Sequence, residues 1–401
     1  MMTTEGFPRE LLSEPVSARL AYFVGKVVAH PRLKEAHEAL MSALRRPGDA
    51  SLILVFGPTG VGKTTLRLRV ERQLIEESLP ELEKDPGRLP VVALEAVAPE
   101  SGQFNWKDYY LRALTALEEP LARHKIDYSQ RGEGRVCPMA IRRDRVGQPE
   151  SWRAAAPALR RALEQALLAR RPSAFILDEA QHLGKMASGR RLLDQMDALK
   201  SLSAMTGTVH VLIGTYELLR LADLSAQLSR RSTEIHFGRY CADSAEDLRA
   251  FRSVLLTFQR HLPLAVEPDL LGRYEYLYER SVGCVGVLKS WLNRALAAVL
   301  EEGGDSLGER HLAGQAEPTR KLLSLAREIK EGEEATAGRD REGEELGLLL
   351  GTAVKAIRVA QPELGQRSPP KDGDSRHRVG RVGQRRPVRD PAGEGREEDV
   401  G

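Results

Sequence analysis

The sequence has few of the features that mark specialised classes of protein. Three cysteines, Cys137, Cys241 and Cys284, occur in 401 residues, and their wide spacing fits neither a zinc site nor a disulfide framework. We therefore expect a reducing, cytoplasmic setting. The 60 lysines and arginines nearly balance the 57 aspartates and glutamates, so the overall charge identifies no partner and any basic surface has to be local.

Long hydrophobic runs are also missing. The amino-terminal MMTTEGFPRELLSEP has no basic start followed by an apolar stretch, and this composition is not that of a secretory signal. The most apolar late segment, LGLLLGTAVKAI, is too short to cross a bilayer and contains Lys355. We expect no membrane association.

Several shorter apolar runs, separated by stretches of helical periodicity, predict the fold. They read as strands buried on both faces of a parallel sheet, and they span 52–56, 91–97, 173–178 and 208–215. Thr233, Ile235 and Phe237 alternate with polar residues, which indicates one further, half-buried strand. The alternation of strands and helices predicts a doubly wound α/β fold.

The segment GPTGVGKT, residues 57–64, follows the first of these runs and precedes a helical stretch. This context is the one in which the pattern GxxxxGK[ST] binds phosphates, because glycines let backbone N–H groups point at the phosphate oxygens. Lys63 is predicted to reach the β and γ phosphates of ATP and Thr64 to hold Mg²⁺. The predicted nucleotide-binding residues are Gly57, Pro58, Thr59, Gly60, Val61, Gly62, Lys63, Thr64 and Thr65.

Two carboxylates end the strand of the segment AFILDEAQHL, where a parallel sheet presents its ligand-binding edge. Asp178 is predicted to position Mg²⁺, and Glu179 to orient and activate the attacking water. The alternative is that both acids only begin the next helix, where negative charge is favoured.

Thr215 ends another predicted strand, where its hydroxyl is a candidate contact for the γ phosphate or the water; the alternative is a threonine that caps the strand end. Arg230 and Arg231 precede the last strand. We expect them to complete the site of a neighbouring subunit, where an arginine supplied in trans stabilises transition-state charge. The alternative is a solvated pair of arginines, or an internal ion pair with Glu234 or Asp223.

Six segments in this order resemble those of the TnsC and TniB family of transposon-encoded AAA+ ATPases, relatives of the phage MuB target selector. The resemblance covers roughly residues 19 to 300, and its segments are HPRLKEAHEALMSAL, GPTGVGKTT, LDEAQHL, LIGTYELL, QLSRRSTEIHFGRY and GCVGVLKSWLNRAL. It implies assembly on double-stranded DNA with ATP, as a ring or helical filament, and recruitment of a transposase and target-selection proteins. It also implies Thr215 as sensor and Arg230 or Arg231 as finger. The family's sensor-two arginine has no clear counterpart, and Lys289 is the nearest substitute.

We divide the chain into four parts on these patterns. Residues 1–50 form an amino-terminal helical segment, 51–241 an AAA+ nucleotide-binding domain with a basic insertion at 122–149, and 242–302 a small helical lid domain. Residues 303–401 are expected to form a partly disordered basic tail, because their last part is rich in Gly, Pro, Arg and Asp and lacks aromatic residues.

The basic insertion is the predicted DNA surface, because clustered positive charge binds phosphates without sequence preference. Its candidate contacts are Arg131, Arg135, Arg142, Arg143 and Arg145. The alternative is a solvated loop whose arginines pair with Asp127, Glu133 and Asp144.

The sequence thus predicts a DNA-binding AAA+ ATPase that selects or marks the target site of a transposase. Two alternatives remain. One is an ATPase switch that acts on protein partners only, as in secretion assembly or signalling. The other is a nucleotide-loaded scaffold with little hydrolysis, which Glu179 disfavours.

Overall fold

A computed structural model of the chain describes residues 6–48, 50–98, 104–119, 156–184, 190–222 and 232–350. The insertion at 122–149, the pair Arg230 and Arg231, and residues 351–401 lie outside them.

The described strands form one parallel sheet. Its strands are β1 (Leu52–Phe56), β2 (Val91–Glu95), β3 (Ala174–Asp178), β4 (Val209–Gly214) and β5 (Ser232–His236). Their order across the sheet is β2-β3-β4-β1-β5. The three central strands are buried along their whole length, as expected for continuous apolar runs, whereas the edge strands β2 and β5 are partly exposed. The predicted doubly wound α/β fold is confirmed.

The α-helices of the described residues lie before, between and after these strands. They are α1 (Val16–Gly25), α2 (Pro31–Arg45), α3 (Lys63–Leu82), α4 (Trp106–Ala116), α5 (Ala156–Arg170), α6 (Arg190–Thr206), α7 (Glu217–Ala222), α8 (Ala245–His261), α9 (Tyr274–Ser281), α10 (Val285–Glu301), α11 (Glu309–Gln315) and α12 (Thr319–Leu349). The last two helices occupy the beginning of the region that composition assigned to the tail.

Side chains on alternate positions of β1 enter two different cores, because successive residues of a strand point to opposite faces of the sheet. Leu52 and Leu54 belong to the core formed with helices α4, α5, α6 and α7. Ile53 and Val55 belong to the core formed with α2 and α3. The sheet is therefore covered by helices on both faces, which accounts for the lack of polar alternation in its central strands.

A third core joins the first helix of the chain to the helical region after the sheet. Phe23 of α1 is fully buried among side chains of α8 and α10, and its ring meets that of Phe258 edge to face, with centroids 6.1 Å apart. Trp291 of α10 is also buried and donates its indole N–H to the carbonyl of Leu312, 2.9 Å away. Residues distant in sequence thus complete one helical core.

Asp247, in the first turn of α8, connects three segments of the chain. Its carboxylate accepts hydrogen bonds from the Arg32 guanidinium of α2 at 2.9 and 3.0 Å and from the backbone N–H of Cys241 at 2.9 Å. Its own N–H donates to the side chain of Ser244, the N-cap of α8, at 3.2 Å. Asp247 is buried, so these donors replace the water that the carboxylate loses on folding.

Within the described residues, no single helix is both long enough and apolar enough to span a bilayer. Helices α9 and α10 pass that test only together, and they are bent by 110° with respect to each other. Much of α10 is buried in the third core, where its apolar side chains pack.

The replacement Asp247→Ala is expected to lower the free energy of unfolding by roughly 2–3 kcal/mol, because it leaves a guanidinium and a backbone N–H without their acceptor. Urea unfolding measures the change. Asp243→Ala, in the loop just before α8 and exposed, is the matched control and should have little effect. Equal losses for the two variants would contradict the linking role of Asp247.

Candidate functional site

The segment predicted to bind phosphates forms the turn between β1 and α3. Its glycines adopt or permit backbone arrangements that side chains would obstruct: Gly60 and Gly62 have φ of +78° and +116°, and a Cβ on Gly57 would lie 2.0 Å from the carbonyl oxygen of Phe237. The turn leads into the amino terminus of α3, where free N–H groups and the helix dipole favour an anion. This arrangement fits the phosphates of a nucleotide.

Lys63, the first residue of α3, is buried within this turn. Its ammonium donates to the backbone carbonyls of Gly57 at 3.0 Å and Pro58 at 2.8 Å. Burial lowers the pKa of Lys63, and the carboxylates of Glu179 and Asp178 raise it. A buried cation held on the loop is suited to bind phosphate oxygens.

The predicted metal-binding side chains Thr64 and Asp178 lie next to each other. The Thr64 hydroxyl donates to Oδ2 of Asp178 across 3.4 Å, and Asp178 is buried. Hydroxyl and carboxylate oxygens are the hard ligands that Mg²⁺ prefers. The two residues therefore fit Mg²⁺, which would neutralise phosphate charge at this site.

Arg67, one turn after Thr64 on α3, is a member of the site that the sequence analysis missed. Its Nε donates to the same Asp178 oxygen at 3.1 Å, and its other end pairs with Glu71 at 2.6 Å. The guanidinium thus compensates the charge of Asp178 beside the candidate metal site. The sequence did contain a signal for it. Arg67 lies three residues after Thr64 and four before Glu71, and residues at these spacings share a helix face.

Glu179 and Thr215 are joined through the side chain of Gln181. Glu179 has a left-handed backbone, with φ of 53°, and its N–H donates to Oδ1 of Asp178 at 3.0 Å. Gln181 donates through Nε2 to the Glu179 carboxylate and accepts the backbone N–H of Thr215 through Oε1 at 3.3 Å. Gln181 is the second residue of the site that sequence reasoning did not identify.

A cavity of about 130 Å³ lies beside the phosphate loop. It is mostly apolar. Its lining includes Val61 and Thr65 near the loop, Val27, Val28 and His30 from the segment between α1 and α2, and Lys289 of α10. Because it adjoins Gly62 and Thr65 of the loop, a nucleotide with its phosphates on the loop has this cavity available for its base.

Lys289 of α10 forms part of the cavity wall. Its ammonium donates to the backbone carbonyl of Phe23 and lies 3.3 Å from the centroid of the Phe23 ring, which is a cation–π contact. Burial, together with the smaller effect of the charge of Lys26, lowers the pKa of Lys289 to about 7. The side chain that the sequence offered as the nearest substitute for a sensor-two arginine is thus engaged with α1.

The start of α10 touches the phosphate loop directly. The N–H of Val287 donates to the carbonyl of Gly60 at 3.2 Å, and a Cβ on Gly286 would lie 2.5 Å from that carbonyl oxygen. The two glycines allow close contact between the loop and the helical region. We expect a displacement of the phosphate loop to move the start of α10, and a displacement of α10 to move the loop.

Helix α12 also reaches the neighbourhood of the site. Glu333 forms a two-pronged ion pair with Arg239, at 2.8 and 3.0 Å. Glu328 and Lys63 influence each other electrostatically: burial raises the pKa of Glu328, and Lys63 opposes the rise. Acidic side chains of this helix therefore contribute to the electrostatic potential at the site where phosphates would bind.

The structure brings together Lys63, Thr64, Asp178 and Glu179, and links Thr215 to them through Gln181. It does not test the other predicted residues, which lie outside the described part of the chain. These are Arg131, Arg135, Arg142, Arg143, Arg145, Arg230 and Arg231.

Residues 45–222 match the protein family described as the AAA domain. No curated protein matches the chain. The match and the site agree on an α/β AAA+ fold with a phosphate loop. The ligands of this domain are ATP with Mg²⁺, and its activity is ATP hydrolysis.

Among solved structures, the chain is similar to the ORC2 protein of Aeropyrum pernix in its ADPNP–ADP complexes, at 15% identity over 75% of this chain and 73% of that one, with a TM-score of 0.49. It is similar to Cdc6p of Pyrobaculum aerophilum at 16% identity, over 74% and 69%, with a TM-score of 0.45. A Walker-type ATPase of Pyrococcus abyssi has 17% identity over 78% and 76%, with a TM-score of 0.41.

Gly286→Ala is expected to weaken ATP binding about tenfold, because the added methyl group forces α10 and the carbonyl of Gly60 apart, and such overpacking costs on the order of 1–3 kcal/mol. Equilibrium titration with ATP and Mg²⁺ measures the affinity. Gly314→Ala on α11 is the control, since a Cβ there meets nothing within 4 Å. Unchanged affinity in Gly286→Ala would show that the contact does not shape the loop.

Lys289 should make stability depend on pH. Its folded-state pKa of about 7 lies below the ordinary value of 10.5, so between these values the unfolded chain binds more protons than the folded one. The free energy of unfolding contributed by this group therefore increases with pH in that window. Relative to Lys289→Met, the wild type should gain roughly 1 kcal/mol per pH unit above pH 7.

Urea unfolding of both proteins at about pH 7, 8 and 9 tests this expectation. Lys321→Met removes an exposed lysine and is the control, for which the difference from wild type should stay constant. A constant difference for Lys289→Met as well would mean that burial of Lys289 does not shift its titration.

Proposed function

We propose that this chain, whose residues 45–222 match the AAA domain, is an ATPase that assembles on double-stranded DNA, marks a target site and recruits or activates a transposase. ATP binding promotes assembly, and hydrolysis promotes disassembly. The transposon-encoded TnsC and TniB proteins, which the six sequence segments resemble, are the family to which we assign it.

The observation that carries the ATPase part is that Lys63, Thr64, Asp178 and Glu179 lie together at the carboxyl edge of the sheet. Lys63 binds the β and γ phosphates, and Thr64 and Asp178 hold Mg²⁺. Glu179 orients the water and accepts its proton, and Thr215 senses the γ phosphate. The contacts of Lys63 with the loop and of Thr64 with Asp178 support these roles.

The geometry of β5 supports a site that is shared between subunits. Ser232, the first residue of β5, pairs with Leu52 at the amino end of β1, whereas the phosphate loop follows the carboxyl end. The two ends of such a strand are roughly 13 Å apart. In the sequence, Arg230 and Arg231 directly precede Ser232. We assign them to the site of a neighbouring subunit in a ring or helical filament.

The DNA and transposase parts derive from the sequence. The insertion at 122–149 has clustered arginines suited to phosphates, and we assign DNA contacts to it. We further propose that 51–241 is the nucleotide-binding domain and 242–302 the lid, with 1–50 as an amino-terminal segment and 303–401 as a tail that binds the transposase or a helper protein.

Mixing two inactive variants tests the shared site. Glu179→Gln should bind ATP without hydrolysing it, and the double change Arg230→Ala, Arg231→Ala should lose on the order of 10³-fold or more in turnover. In an equal mixture on duplex DNA, an intact arginine pair can face an intact Glu179. Turnover should recover to about a quarter of the wild-type value if subunits mix at random.

The control is a mixture of Glu179→Gln with Lys63→Ala. Turnover should not recover in this mixture, because Lys63→Ala subunits are expected not to bind the ATP needed for assembly. Wild-type turnover should rise with protein concentration and with added duplex DNA. Turnover that is independent of both would refute the proposal. A rise with concentration but not with DNA would favour a switch that acts on protein partners only.

A further inference from the structure

The side chain of Gln181 stands between the ends of two strands of the sheet. It belongs to a 3₁₀ helix, Ala180–Leu183, that directly follows Glu179, and it is only 7% exposed. Its amide nitrogen donates to the Glu179 carboxylate, and its amide oxygen accepts the N–H of Thr215 at 3.3 Å. One buried amide therefore connects the end of β3 with the end of β4.

The chemistry of the two partners fixes the orientation of this amide. A backbone N–H can only donate, so the group facing Thr215 has to be the amide oxygen. An ionised carboxylate can only accept, so the group facing Glu179 has to be the amide nitrogen. Gly214, at the end of β4, leaves room for the amide because it has no side chain. A Cβ at that position would lie 2.4 Å from the Gln181 oxygen. A carboxylate, an ammonium or an apolar side chain at position 181 cannot make both contacts.

Glu179 needs such a partner. Its backbone is left-handed, a conformation that a residue with a side chain rarely adopts and that persists where surrounding contacts impose it. The hydrogen bond from its N–H to Asp178 holds the backbone, but it leaves the long side chain free to rotate. The amide of Gln181 supplies the contact at the carboxylate itself.

We propose that Gln181 is a positioning residue, which aims the Glu179 carboxylate and ties that aim to the position of Thr215 at the end of β4. The inference rests on the proposed role of Glu179 as the base. A shift of β4 toward or away from the phosphates changes the Thr215 contact, and the same amide carries that change to Glu179. Contact with the γ phosphate at one strand is thereby coupled to activation of water at the next.

Gln181→Met, which keeps the length of the side chain and removes both polar contacts, is the first test. The value of kcat for ATP should fall at least about tenfold, since an aimed general base contributes on the order of 10²-fold or more. KM for ATP should stay within about twofold, because the hydrogen bonds of the Gln181 side chain go to Glu179 and Thr215 and not to the phosphate loop. Gln73→Met is the control: the Gln73 amide also donates to a carboxylate, that of Glu77, on the exposed side of α3, and its loss should leave kcat unchanged.

Gln181→Glu distinguishes aiming from packing. The new carboxylate can still accept the Thr215 N–H, but it places negative charge against Glu179 and so raises the pKa of the base. The acid limb of the pH profile of kcat should move upward by about one unit. A purely structural role would lower activity without moving that limb. Should Gln181→Met fail to fold, this variant alone decides the matter.

Combining Gln181→Met with Glu179→Gln completes the test. If Gln181 acts through Glu179, the double variant should be no slower than Glu179→Gln alone, within about twofold, because interacting residues are not additive. Multiplied losses would overturn the proposal, as would a wild-type kcat in Gln181→Met. Wild-type turnover in Glu179→Gln would instead refute the assigned base, and the proposed mechanism with it.

Discussion

The burial of the Lys63 ammonium is the constraint on which the site depends. A buried cation is costly unless polar groups and opposite charge surround it. The carbonyls of Gly57 and Pro58 supply the polar contacts, and the carboxylates of Asp178 and Glu179 supply the charge. Those carboxylates reach the loop only because β3 runs parallel to β1, with β4 between them. The charge balance around Lys63 therefore depends on this order of parallel strands.

The same loop is held from its other side by the helical region. The carbonyl of Gly60 accepts the N–H of Val287, and the cavity beside the loop has walls from both the loop and α10. Phe23, from the start of the chain, is buried in the core to which α10 belongs. A nucleotide bound at the loop and in the cavity would contact both the phosphate loop and the helical region that contains α10. ATP would then have a direct means of changing how these two regions contact each other.

Positive and negative charges around the site are arranged in a chain of contacts. Arg67 pairs with Asp178, the N–H of Glu179 is held by Asp178, and Gln181 links Glu179 to Thr215. With the proposed roles of Glu179 and Gln181, an arginine of a neighbouring subunit would act on a site in which the base is positioned by contacts within one subunit. Assembly would then add transition-state stabilisation, and orientation of the water would depend on each subunit alone.

The sequence by itself determined the sheet and the core of the site. Apolar runs such as Leu52–Phe56 can be satisfied only by burial on both faces, and the turn 57–64 has one well-known use of its glycines and lysine. Tertiary structure alone decided the positions of Arg67, Gln181 and Lys289. From the sequence alone, each of these polar side chains could pair with many other residues. Its actual partner is determined only when strands and helices distant along the chain come together and exclude water.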